Sequence, residues 1–295
     1  MSNTTAAVKH YIGRFAPSPT GPLHMGSLLS AVASYLDAKA NNGKWLLRIE
    51  DIDPPREIKG SSQAIITSLE AHHLLWDGDI LWQHDQHDYY RDCLTDLTTQ
   101  RLIYACDCSR AQINNGIYSG HCLERNAAPA PPFALRLKTT AADIEFTDQI
   151  QGYFKRNIAN QVGDFILWRK DELPAYQLAV VADDEYQNIT HIIRGSDLLD
   201  STPRQIYLAK ALQLKPAAYG HLPVLVNNDG QKLSKQHHAS PIDDNTPIDN
   251  IYYALHKLGQ VLPAEKPSVV AELLTWAIDN WDIKAIPQQM SLPQS

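Results

Sequence analysis

At 295 residues and 44% hydrophobic content, the chain is long enough to bury one large α/β core or two modest ones, which excludes the disordered and fibrous classes. A net charge of −7, from 26 Lys and Arg against 33 Asp and Glu, excludes a protein held on nucleic acid mainly by neutralising phosphates, so any RNA contact is expected to be local and shape-dependent. The start of the chain lacks the basic-then-apolar layout of a signal peptide, and no stretch reaches the ~18 uninterrupted apolar residues of a membrane span. A cytoplasmic protein with no membrane partner is the expectation.

In chain order, Tyr11 to Phe15 predicts a short strand, and the Pro-Ser-Pro-Thr-Gly-Pro turn leads into a long amphipathic helix from Gly26 to Asn41. Lys44 to Ile49 is an apolar run suited to a buried parallel strand, and Ser61 to Leu75 carries helical spacing through Ile65, Ile66, Leu69 and Leu74. From Tyr104 to Lys155 the pattern breaks into cysteines, glycines and the Pro-rich Ala127 to Pro132, the mark of an inserted substructure. Strands are expected again at Gln177 to Ala182, Ile189 to Arg194 and Leu222 to Val226, with a helix at Thr202 to Gln213 and two more at Ile248 to Leu258 and Pro267 to Ile278. Alternating β and α on both sides of an insertion implies a doubly wound parallel sheet of Rossmann type. The expected division is a nucleotide-binding half at 1–103, the insertion at 104–160, a second half at 161–226, and a short tail at 227–295.

Gly21-Pro22-Leu23-His24-Met25-Gly26 puts a histidine and glycines where the first strand hands over to a helix. Backbone N–H groups and the positive end of the helix dipole make such a junction an anion site, open enough for a phosphate chain to approach. Ser27 stands where a Walker A loop needs lysine, so the motif is of another kind. Some two hundred residues on, Lys232-Leu233-Ser234-Lys235 sets two ammonium groups and a hydroxyl in a loop after a strand, able to stabilise charge on a departing pyrophosphate. Taken singly, these are a capped helix and a solvated polar loop.

The pair resembles the HIGH and KMSKS signatures of the class I aminoacyl-tRNA synthetases. Within that class, the string Arg14 to Gly21 (RFAPSPTG) and the string Arg48 to Asp53 (RIEDID) resemble the glutamyl branch. A free amino acid with an anionic side chain needs a guanidinium for that side chain and a carboxylate for its ammonium group; Arg14 and Arg194 offer the first and Glu50 the second. The resemblance implies glutamate contacts from Arg14, Phe15, Ala16, Pro17, Ser18, Glu50, Tyr176 and Arg194, and ATP contacts from His24, Gly26 and Lys235. His24, Lys232 and Lys235 are then the catalytic set, acting on Mg²⁺-bound ATP. Ser27 and Gln236 depart from the last positions of the two signatures without removing an essential charge.

Of the four cysteines, Cys93 reads as a core thiol, and Cys106, Cys108 and Cys122 crowd into one short segment. Three thiolates supply three good zinc ligands and leave a fourth position to water, His121 or Tyr118. The spacing resembles the insertion of the glutamyl-queuosine tRNA(Asp) synthetases, which implies a structural Zn²⁺ completed by Tyr118. Only 295 − 236 = 59 residues follow Gln236, too few for the helical anticodon-binding region of a full glutamyl-tRNA synthetase. The resemblance thus implies a monomer that activates L-glutamate with ATP without tRNA and transfers it to queuosine at the wobble position of tRNA(Asp). The competing readings are a truncated synthetase that charges an acceptor end, and a zinc-stabilised RNA-binding protein without catalysis.

Overall fold

A computed structural model describes residues 10–294 except 114–116, 119, 126, 128, 228–231 and 233–239. The chain opens with strand β1 (Ile12–Phe15), helix α1 (Met25–Ala40), strand β2 (Lys44–Ile49), helix α2 (Ser61–Ala71), strand β3 (Leu81–Trp82) and helix α3 (His87–Thr99). β1, β2 and β3 pair in parallel, in that order. Helix α1 has a wide apolar surface, burying Leu28, Leu29, Ala31, Val32, Ala33, Leu36 and Ala38, because it is packed between the sheet and the C-terminal helices. Its one buried acid, Asp37, is satisfied by the Tyr11 hydroxyl and by Trp281 Nε1 at 2.9 Å. At roughly 1.5–3 kcal/mol for each fully buried large apolar side chain, this helix anchors the domain.

Strands β4 (Ile103–Cys106), β5 (Ala134–Leu137), β6 (Asp143–Asp148) and β7 (Gly152–Asn157), the short helix α4 (Ile158–Gln161) and strand β8 (Phe165–Trp168) follow. β4, β5 and β8 form an antiparallel sheet and β6 and β7 a hairpin, so the break in βα alternation from Tyr104 is a change to antiparallel pairing. That sheet draws its third strand from beyond residue 160.

The segment Gln177 to Ala182, expected as a strand, is helix α5 (Tyr176–Tyr186). Leu178 to Ala182 are all buried, so no polar residue marks a helical period, and a short continuous apolar run fits either state. After it come β9 (His191–Gly195), α6 (Thr202–Ala211), β10 (Ala218–Leu222) and β11 (Val224–Val226). Pro223 divides the expected Leu222 to Val226 strand, since it lacks an N–H for the ladder. The tail supplies α7 (Pro247–Lys257), α8 (Val270–Asp279) and a strand not anticipated from the sequence, β12 (Ser291–Pro293), parallel to β11.

β9 pairs in parallel with β10 and lies beside β1, where Thr190 N–H donates to Ile12 O at 2.9 Å and Ile12 N–H donates to Thr190 Oγ1 at 2.8 Å. The parallel strands therefore run β3-β2-β1-β9-β10. The order reverses between β1 and β9, and a crevice at the carboxyl ends of those two strands is where open α/β sheets bind ligands. No helix among the described residues is long and apolar enough to cross a membrane.

Candidate active site

A cavity of about 650 Å³ opens at this reversal point. Arg14, Phe15, Ala16, Pro17 and Ser18 line it from the end of β1, Glu50 from the end of β2, Tyr176 from the start of α5, and Arg194 from β9. His24, Gly26 and Ser27 bring the first turn of α1 to the same space, and Lys232 reaches it from the other side. Every expected glutamate, ATP and catalytic residue that is described lies on this one cavity. Lys235 lies outside the described residues.

The two arginines are held by different means. Arg14 is buried, and its Nε lies 3.1 Å from Asp184 Oδ1. The same carboxylate takes Arg48 Nη2 at 2.7 Å, with Arg48 wholly buried and its Nη1 donating to Gln187 Oε1 at 3.0 Å. Burial works to raise the Asp184 carboxyl, but Arg48 and Arg14 hold it below the ordinary carboxylate range. Arg194 is 5% exposed, with Nε 3.1 Å from His221 Nε2 and Nη2 donating to Thr202 Oγ1 at 2.9 Å and Gln205 Oε1 at 2.7 Å. Its Nη1 is buried and has no hydrogen-bond partner among the described residues. A guanidinium fixed on two nitrogens with the third unpaired is a ready receptor for an incoming carboxylate.

Glu50 follows β2, its backbone N–H donating to Pro17 O at 2.9 Å, which ties the two glutamyl-type strings together. Burial pushes its carboxyl up to about 7, against the pull of Arg48 and Arg14. Asp183, buried behind it, accepts from Gln83 Nε2 at 2.6 Å and Tyr90 Oη at 2.9 Å, and burial raises it to about 6. At the other end, His24 is the N-cap of α1 and accepts from Ser27 N–H at 3.3 Å. Lys232 Nζ lies 2.5 Å from Asp197 Oδ2, and Asp197 also lines the cavity. The cavity is thus lined by cationic and N–H groups, Arg14, Arg194, Lys232 and the start of α1, together with the carboxylates Glu50 and Asp197.

Sequence reasoning missed Asp184, Asp197, His221 and the partner role of Arg48. The adjacent acids Asp183-Asp184 closing an apolar run were the available signal, but reading that run as a strand hid which of them faced inward.

Away from the cavity, Cys106, Cys108 and Cys122 bring their sulfurs within 4.8 Å of one another, and no other group of His, Cys, Asp or Glu among the described residues clusters so. Cys108 Sγ is 3.4 Å from Cys122 Sγ and 3.5 Å from the Tyr118 hydroxyl. A tetrahedron of about 2.3 Å Zn–S bonds spaces its sulfurs by about 3.8 Å, so the cluster fits a metal. His121 is exposed and Tyr118 is 5% exposed. Arg136 stands over the Tyr118 ring at 4.0 Å and sets Nε 3.1 Å from Cys106 Sγ, offsetting the charge of a thiolate set. Gly163, at φ +71°, is required behind it, because a Cβ there would come within 2.5 Å of Tyr118 O.

A Rossmann-type sheet with this cavity at its reversal point and an antiparallel insertion is the architecture of a class I synthetase catalytic domain, and the tRNA synthetases class I (E and Q) catalytic domain family matches residues 12–252. Among solved structures, a glutamate tRNA ligase from Elizabethkingia meningosepticum in complex with its amino acid is similar at TM-score 0.81 and 25% identity, covering 97% of this chain and 67% of that one. A glutamate-tRNA synthetase from Elizabethkingia anophelis gives TM-score 0.80 at 26% identity, covering 97% of this chain and 68% of that one. Over nearly the full chain, the glutamyl-Q tRNA(Asp) synthetase of Pseudomonas fluorescens is 45% identical across 296 residues, 99% of each protein. That of Pseudomonas aeruginosa is 45% identical across 287 residues, 96% of this chain and 98% of the relative. The chain belongs to the glutamyl-Q tRNA(Asp) synthetase family.

Proposed function

We propose that the chain activates glutamate with ATP, without tRNA, and then transfers it to the queuosine of tRNA(Asp). The observation that carries the reading is the charge pattern of the cavity. Arg14 and the unpaired Nη1 of Arg194 suit two carboxylates, Glu50 suits an ammonium group between them, and the α1 N-terminus with Lys232 suits phosphates. In this reading Ser18 and Tyr176 complete the glutamate pocket, with Phe15, Ala16 and Pro17 forming its wall.

An oxygen of the glutamate α-carboxylate attacks the α-phosphorus of ATP and pyrophosphate leaves. The nucleophile is already ionised, so no general base is needed, and the residues act by position and charge. His24 and the N–H groups of α1 hold the phosphate chain, while Lys232 and Lys235 stabilise the pyrophosphate. The Mg²⁺ carried by ATP supplies further neutralisation of phosphate oxygens. A hydroxyl of the queuosine cyclopentenediol then attacks the carbonyl carbon of the mixed anhydride and displaces AMP.

Cys106, Cys108, Cys122 and Tyr118 would hold a structural Zn²⁺. The contact between Cys108 and the Tyr118 hydroxyl supports Tyr118 over the exposed His121 as fourth ligand. The reaction is tested by glutamate-dependent exchange of pyrophosphate into ATP with no RNA present. Exchange with glutamate alone among the amino acids is the expected result; dependence on added tRNA would refute the tRNA-independent step.

A further inference from the structure

His221 and Asp148 have no place in the mechanism above, yet both are fully buried beside the cavity wall. Asp148 closes β6, where its Oδ1 accepts from the backbone N–H groups of Ile150 at 3.0 Å, Gln151 at 2.8 Å and His221 at 3.0 Å. Its Oδ2 lies 2.5 Å from His221 Nδ1. Across the ring, His221 Nε2 faces Arg194 Nε at 3.1 Å and Thr202 Oγ1 at 3.1 Å.

These contacts fix the tautomer. An ionised carboxylate whose Oδ1 already accepts three N–H groups can only accept through Oδ2 as well, which requires the proton on Nδ1, and a guanidinium N–H can only donate, so Nε2 must present its lone pair. The opposite tautomer would set two N–H groups against each other, and a doubly protonated ring would set a cation against a cation. The charged and titratable groups facing the ring are Asp148, Arg194, Tyr219 and, further off, Asp197, and burial lowers the imidazole's proton affinity against the pull of Asp148. With Nε held by His221 and Nη2 by Thr202 and Gln205, the guanidinium has one orientation, and it leaves Nη1 unpaired.

We infer that Asp148 and His221 form a positioning pair that aims Arg194 Nη1 at a carboxylate of the amino acid substrate. The inference rests on the proposed role of Arg194 in glutamate binding. His221 touches no substrate; it acts through Arg194, as a third group orients a catalytic base in a triad. The pairing joins residues 73 apart in sequence, on the β6 end and on β10.

Pyrophosphate exchange in the full-length enzyme tests it, with glutamate and ATP varied separately. His221→Leu removes the acceptor and Asp148→Asn presents an amide N–H that forces the wrong tautomer. Each is expected to raise the KM for glutamate about 10- to 100-fold, with the saturating rate and the KM for ATP within about threefold. His221→Gln, whose Oε1 reaches the position of Nε2, is expected to restore the glutamate KM to within about threefold of wild type. A wild-type glutamate KM in His221→Leu, or a loss confined to the saturating rate, would overturn the inference. Should the Leu and Asn variants fail to fold, the ¹⁵N spectrum of histidine-labelled wild-type enzyme decides, with the His221 signals assigned by their absence in His221→Gln. A protonated Nδ1 with a bare Nε2 at neutral pH is expected, and a protonated Nε2 overturns it. Arg194→Gln separates the two layers: an unchanged glutamate KM in that variant sinks the role given to Arg194 while leaving the tautomer result standing.

Discussion

Glu50 makes the cavity sensitive to pH in the range where the enzyme would work. Its carboxyl is raised by burial to about 7, and in the proposed role it would bind the substrate's ammonium group only when ionised. A free-enzyme group of that pKa is about 0.9 ionised at pH 8 and about 0.1 at pH 6, so kcat/KM for glutamate should fall about tenfold across the interval, or about 1.4 kcal/mol. The sign follows from which form binds: acidification neutralises Glu50 and removes the partner of the ammonium group, while glutamate's own carboxylates stay ionised throughout. Asp183, raised to about 6, sits in the same buried network and would add a second, lower step. The assay is pyrophosphate exchange at saturating ATP over pH 6 to 8, for wild type and Glu50→Gln. The variant should lose the upper limb of the profile and bind glutamate about 10-fold or more weakly at pH 8, the cost of losing a charge-assisted hydrogen bond. A flat wild-type profile, or the same limb retained in Glu50→Gln, would refute the assignment.

Lys235→Ala should reduce exchange about 100-fold or more while zinc content stays that of wild type; activity within a few fold would refute its role. Tyr118→Phe should release zinc to a chelator at concentrations the wild type withstands, a loss of at least the roughly 10-fold that even an outer partner is worth, and full retention would point to water or His121. Gly163→Ala forces a side chain onto a positive φ and against the Tyr118 backbone, and should cost about 1–3 kcal/mol in denaturant unfolding together with looser zinc binding. An unchanged midpoint would show that Tyr118 can shift without loss.

What the sequence made legible were features written in contiguous residues. β1, α1 and β2 emerged because apolar runs and a glycine turn sit next to one another, and the cysteine cluster because Cys106, Cys108, Tyr118 and Cys122 fall within one short stretch of sequence. Even the cavity's outline followed, since Arg14 and Glu50 lie at the ends of the first two strands and His24 at the start of the helix between them. What stayed hidden depends on contacts made only after folding. Asp184 joins Arg14 from 170 residues away, and nothing local says that an acid on α5 orients an arginine on β1. The helix α5 itself was misread because burial on all sides erases the period that separates helix from strand. β12 escaped notice because three residues with a proline carry almost no strand signal and its partner β11 is far off in sequence.

The central claim is the acceptor. Radiolabelled glutamate, ATP and the enzyme should be incubated with queuosine-containing tRNA(Asp), unmodified tRNA(Asp) and tRNA(Glu), and the labelled RNA cut to separate the anticodon loop from the 3′ end. Label in the anticodon fragment of queuosine-containing tRNA(Asp), and in neither other RNA, is the result expected. Label at the 3′ end of any of them would contradict the account and make the chain an acceptor-charging synthetase.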